Sequence, residues 1–174
     1  MELRTQKTVI AVAAVLSLVL WPVQISSAFG LPAHPLLLHV PVVFVPILGI
    51  AVLVGIAKPS LFGTPLAAFA VVTLAATLLT VGAGEAFLES QPRLEGNPKM
   101  KDHEGAGETV RFCMVLLTAA LVGLLYVKHR VVTTILKVLA VLLALSAAGF
   151  TIRAGHLGSS LVWEDQEQLT ESSK

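Results

Sequence analysis

The chain has 174 residues, 55% of them hydrophobic and 13% charged, with a mean hydropathy of +0.83 and a net charge of +1. Soluble domains carry roughly 25% charged residues, so this composition excludes an ordinary soluble fold and describes an integral membrane protein, with no basic surplus for nucleic acid and no length for a second domain. The lone cysteine, Cys113, excludes an internal disulfide and a cysteine-ligated iron–sulfur cluster, and the absence of Cys-x-x-Cys-His excludes covalent c-type haem.

Residues 1–28 have the layout of a secretory signal peptide. Arg4 and Lys7 give a basic start, residues 8–21 are apolar, Pro22 breaks the run, and Ser26-Ser27-Ala28 ends in small residues that place cleavage after Ala28. The apolar run falls only slightly short of the roughly 20 residues that cross a bilayer, so an uncleaved first transmembrane helix is the alternative. Four longer apolar spans follow at 36–57, 65–87, 110–127 and 131–152, each close to transmembrane length and none with a clean polar face. Their lengths are similar, but the sequence shows no internal repeat. Cys113 lies in an apolar run and reads as a small packing residue. The expected architecture is an all-α integral membrane four-helix bundle over 29–163. It is preceded by the signal peptide or extra helix and followed by a polar, mobile tail over 164–174.

Loop charge sets the expected topology. Arg4 and Lys7, Lys58, and Lys128-His129-Arg130 with Lys137 mark alternate connections, which the positive-inside rule makes cytoplasmic. The acid-rich segment 89–108 and the tail then lie outside. On this reading the protein sits in the bacterial plasma membrane, with the lipid bilayer as its first partner.

Four of the five histidines fall on the extracytoplasmic side: His34, His39, His103 and His156. His129 is cytoplasmic and reads as a solvated boundary residue. His34-Pro35 opens the first span, Pro35 suiting a first helical position. His39 lies about a turn deeper and roughly 140° around the helix, so the two cannot serve one ion from a regular helix. Either His34 reaches inward from an irregular cap, or the two have different roles. Pro41 and Pro46 predict a kink with freed carbonyls. Asn97 as N-cap and Pro98 behind it start the third helix well outside the bilayer and place His103 on its extension. His156 follows the fourth span in Gly155-His156-Leu157-Gly158.

Imidazole is the commonest protein ligand for metals and is costly near lipid, so four at one face point to a ligand site. The cofactor-binding candidates are His34, His39, His103 and His156, with Arg111 and Arg153 placed to pair with haem propionates. For a metal ion the candidates are the same four histidines with Glu85. On straight helices His39 with His156, or His103 with His156, match in height more readily than His39 with His103. Gly82, Gly84, Gly105, Gly107, Gly155 and Gly158 flank the face; they permit close helix approach or room for a macrocycle. Glu85, Glu89, Asp102 and Glu104 are candidate acceptors for the histidines. Glu85 stands out, because a carboxylate within an apolar span is functional or paired with an arginine. No zincin His-Glu-x-x-His, no Glu-x-x-His pair, no phosphate-binding glycine loop and no nucleophile elbow is present.

His34-Pro35-Leu36-Leu37-Leu38-His39 opening a span, Gly82 to Glu85 closing the next, His103 before the third and Gly155-His156-Leu157-Gly158 ending the fourth resemble the bacterial family of predicted membrane proteins called domain of unknown function 2231. The likeness covers about 31–163, and its first and last motifs are the specific ones. It implies a four-helix membrane domain and no mechanism. The histidine-bearing pattern is more distantly similar to b-type cytochrome bundles, a likeness of architecture alone.

Three readings follow. The first is a haem b protein that transfers electrons at the extracytoplasmic face, with two histidines as axial ligands and a redox partner outside the chain. The second is a transition-metal site for copper, zinc or iron. The third is a cofactor-free accessory subunit of a larger respiratory membrane complex. An electron carrier or accessory subunit is favoured over an enzyme. A transporter fits least, since the midplane lacks the charged residues of ion pathways.

Overall fold

A computed structural model describes residues 2–94 and 96–172, with side chains to residue 163. The fold is helical: α1 Leu3–Ser17, a hairpin of β1 Ser27–Ala28 and β2 Leu31–Pro32, then α2 Ala33–Leu37, α3 His39–Ala57, α4 Thr64–Glu89, α5 Pro98–Gly123 and α6 Arg130–Ser172. Among the described residues five helical stretches are long and apolar enough to cross a membrane: Leu3–Leu20, Ala33–Ala57, Thr64–Glu89, Pro98–Gly123 and Arg130–Trp163.

α3 packs against α4 and α6, and α5 packs against the same two, so these four close a ring. α1 lies outside it, against α4 and α5. The core between them is mainly apolar, with Leu48, Leu74, Leu78, Met114 and Leu117 buried from three of the helices beside the buried threonines Thr73, Thr77 and Thr118. α6 contributes a stripe of small residues, Ala140, Ala144 and Ala147. Spacings of four and three keep that stripe on one face, and small side chains let neighbouring backbones come close where no hydrophobic force drives helices together. Cys113 packs half-buried against this core.

One end is basic on balance, with Lys7, Lys58, Lys128, Arg130 and Lys137, while Arg93, Lys99, Lys101, Arg111 and Arg153 lie toward the other end among the acidic residues. The Lys7 ammonium donates to the Leu125 carbonyl at 2.7 Å, and the Lys137 ammonium stands 5.2 Å from the centre of the Phe62 ring in the α3–α4 connection. The opposite end holds α2, the close of α4, the start of α5 and the outer part of α6.

Proline chemistry shapes that opposite end. The first apolar span breaks at Leu38 into α2 and α3. Pro41 has no N–H for the Leu37 carbonyl four residues earlier. The Thr80 hydroxyl of α4 lies 3.2 Å from that carbonyl and also 2.8 Å from the Ala76 carbonyl of its own helix. The freed acceptor predicted from Pro41 therefore finds a donor on the neighbouring helix. Pro46 lies inside α3.

Two boundaries differ from expectation. α2 starts at Ala33, so His34 sits within its first turn instead of at the cap. Residues 164–172, expected as an irregular tail, continue α6. No proline or glycine follows Gly158 to stop the helix, and extending a helix is far easier than starting one. Residues 173 and 174 lie outside the described residues. At the start of α5 the Asn97 side chain accepts from the Lys99 N–H at 2.9 Å, with Pro98 behind it, as predicted.

Candidate functional site: a histidine pair

The structure brings together His34 and His103. Their ring centres lie 6.2 Å apart with planes nearly perpendicular, and both rings are half-buried. The partner for His103 is thus His34 and not His156. His39, at the first residue of α3, is exposed, and so is His156. Neither side chain makes a hydrogen bond, ion pair or ring contact among the described residues.

Each ring of the pair is held the same way. His34 Nδ1 donates to the Thr80 carbonyl at 3.1 Å, and His103 Nδ1 donates to the Ala154 carbonyl at 2.8 Å. A carbonyl oxygen only accepts, so Nδ1 carries a proton in both rings, and the tautomer of the neutral ring that this bond selects has its lone pair on Nε2. That tautomer is the one a metal ligand needs when its other nitrogen is fixed by a main-chain carbonyl.

The cradle is built twice from one plan. Four residues beyond each accepting carbonyl stands a glycine, Gly84 or Gly158, one turn further along the same helix face. A Cβ at Gly84 would stand 3.1 Å from Cε1 and Nδ1 of His34, and one at Gly158 would stand 3.1 Å from Cε1 of His103. A side chain at either position would have to push the imidazole a few tenths of an ångström away from where it meets the carbonyl of the turn before. The chain separation from histidine to acceptor is 46 residues in the first half and 51 in the second. Each histidine stands where one helix begins and bonds to the helix that follows α3 or α5 in the chain. Gly105, Gly107 and Gly155 have nothing within 4 Å of a would-be Cβ and take no part.

The expected carboxylate acceptors do not serve these rings; main-chain carbonyls do. Glu85 has another partner. It accepts from Arg111 Nη1 at 3.0 Å, and Glu108 accepts from Nη2 of the same buried guanidinium. The Trp21 ring covers that guanidinium at 4.3 Å. Arg111 Nε is buried without a hydrogen-bond partner among the described residues. Of the two outcomes foreseen for Glu85, pairing with an arginine is the one observed. Arg111 is consequently engaged by protein carboxylates. Arg153 is exposed and lies 3.9 Å from Asp102, a loose surface pair. Phe87, one turn beyond Gly84, stacks on His34 at 6.4 Å.

Among the described residues no three of His, Cys, Asp and Glu gather so as to hold a metal ion. The set of four histidines with Glu85 is not assembled; what is assembled is a pair. Thr80, Ala154, Phe87 and Trp21 escaped the sequence reading. The first two act through the main chain, which side-chain identity cannot reveal. The glycines one turn later were the available signal.

Membrane-length helices around an apolar core, with a histidine pair at one end, define a polytopic membrane protein. The chain belongs to the family described as Predicted membrane protein (DUF2231), whose model matches residues 30–171. No curated protein and no solved structure matches the chain.

Proposed function

We propose that this protein is a membrane electron carrier in which His34 and His103 are the two axial ligands of a haem b at the extracytoplasmic face. The observation that carries the reading is the shared hydrogen-bond pattern: two adjacent imidazoles, each fixed through Nδ1–H on a carbonyl, which leaves Nε2 of each as the nitrogen for a ligand bond. Haem iron takes only two ligands from the protein, so a pair suffices where a mononuclear structural ion would need about four. The 6.2 Å between ring centres fits two metal–imidazole bonds of about 2 Å each plus the ring radii. Ligation on both sides leaves the iron no open position, which suits electron transfer better than chemistry on a bound substrate. Arg153 is the propionate partner this reading retains, since Arg111 is held by two carboxylates. An extracytoplasmic position for the pair is supported by the positive-inside rule, under which the end with Lys7, Lys58, Lys128, Arg130 and Lys137 would face the cytoplasm.

Oxidised and dithionite-reduced absorption spectra of the detergent-purified protein, expressed with haem supplied, test this. A Soret band with a sharp reduced α band is expected, lost in H34A and in H103A and strongly diminished in G84V and G158V while far-ultraviolet circular dichroism is unchanged. A colourless parent protein sinks the reading. The edge-to-face contact of the two rings favours a second reading, a copper, zinc or iron ion held between them, because a single ion needs no slot as wide as a macrocycle. Stoichiometric metal after dialysis, without a Soret band, would establish that one instead.

A further inference from the structure

We infer that residues 1–28 are not a leader removed on export but a permanent fifth membrane helix, latched to the histidine end of the bundle by Arg111 and Gly82. Four observations on four separate residues carry this. First, the Trp21 ring lies 4.3 Å from the Arg111 guanidinium and edge-on to Phe112 at 5.2 Å. A cation is attracted to the face of a tryptophan ring, the more so once desolvated, and here the ring covers a guanidinium whose Nε has no hydrogen-bond partner among the described residues.

Second, the Val23 main chain runs so close to Gly82 that any Cβ there would collide with the Val23 carbonyl oxygen. Gly82 is buried in the middle of the last turns of α4. A glycine inside a helix is less favourable than alanine. Its place is explained by the strand of chain that crosses it, and that strand belongs to the segment a leader would lose. Third, at the other end of α1, the Lys7 ammonium caps the Leu125 carbonyl at 2.7 Å, near the last turn of α5. α1 is thus tied at both ends while its remaining apolar surface, with Val12, Val15, Leu16 and Val19 exposed, suits lipid.

Fourth, the bond expected to be cut, Ala28–Phe29, lies in a hairpin. Ala28 pairs with Leu31 and Ser27 with Pro32, the tip residues Phe29 and Gly30 both have positive φ, and the Ser26 carbonyl accepts from the Ala33 N–H at 3.1 Å. The chain around the small residues is folded onto the start of α2, the helix that carries His34. The short apolar run and small-residue ending that resemble a leader are the features of a compact helix followed by a tight turn.

Intact-mass analysis of the full chain, purified from membranes by a tag after Lys174, decides the matter. The expected result is the mass of the whole chain, 18.3 kDa plus the tag; a mass short by the first 28 residues overturns the inference. An independent arm compares the parent with A28L, which blocks cleavage after a small residue. Co-migration on gel electrophoresis is expected, and a slower-migrating A28L band overturns the inference. Neither readout depends on whether haem or metal occupies the histidine pair.

Discussion

Arg111 is the residue on which the outer end of the bundle turns. Its side chain is 8% exposed, while Glu85 and Glu108 on either side keep 27% and 31%. Removing one partner from a buried ion pair is strongly destabilising, because the other charge is left without compensation. The two carboxylates here keep partial contact with water, so the effect is discounted. R111M is expected to destabilise the protein by about 2–3 kcal/mol, less than the full loss seen for wholly buried pairs. E85Q, which leaves Arg111 its bond to Glu108, is expected to lose about 1 kcal/mol. Thermal unfolding in detergent, followed by circular dichroism, ranks the two; equal effects would mean that the triad does not act as drawn. The presence of a charge pair at this depth was legible, since Glu85 inside an apolar span demanded an explanation. Its partner Arg111 was assigned to a ligand instead, because sequence spacing does not show that α4 and α5 bring positions 85 and 111 face to face.

At the scale of elements, the bond from Thr80 to Leu37 links α4 to the join between α2 and α3 and so sets where His34 points. The freed carbonyl exists because of Pro41, which makes the link testable by a double-mutant cycle. T80V removes the hydroxyl and leaves the Leu37 carbonyl without a donor, an expected loss of about 1 kcal/mol. P41A restores an N–H of the helix's own to that carbonyl, so T80V in the P41A background is expected to be nearly neutral. A coupling energy of about 0.5–1 kcal/mol, read from unfolding midpoints of the four proteins, is the expected outcome; strict additivity would remove the link. The apolar spans, the N-cap at Asn97 and the freed carbonyls of the proline-bearing helix were all readable, because each rests on local chemistry. The histidine pairing was not. It depends on how α2 packs against α4, and on acceptors that belong to the main chain of other helices. The same limit hid the repeat: His34 with Thr80 and Gly84 matches His103 with Ala154 and Gly158 in geometry, although the flanking residues share little.

For the molecule as a whole, the two ends differ in chemistry, and the difference predicts an orientation. α6 has 43 residues and at 1.5 Å per residue runs roughly 64 Å, about twice the roughly 30 Å of a hydrocarbon core. Its apolar part begins beside Lys128 and Arg130, so the excess length projects from the opposite end, past Ala154 and the His103 ring. A helix that long cannot hide its excess by tilting, which makes the two faces easy to tell apart with a label. Lys58, Lys128, Arg130 and Lys137 stand at or near the basic end with Lys7, and lysine and arginine in short loops are retained in the cytoplasm. With Cys113 replaced by serine, a single cysteine is placed at Asp102, exposed beside the histidine pair, or at Lys128, exposed in the α5–α6 turn. A membrane-impermeant thiol reagent applied to intact cells whose outer barrier has been opened is expected to label D102C and to spare K128C. Lysis should then make both reactive. The reverse pattern would put His34 and His103 in the cytoplasm and remove the reason to look for their redox partner outside. Labelling of both before lysis would mean that the chain inserts in two orientations.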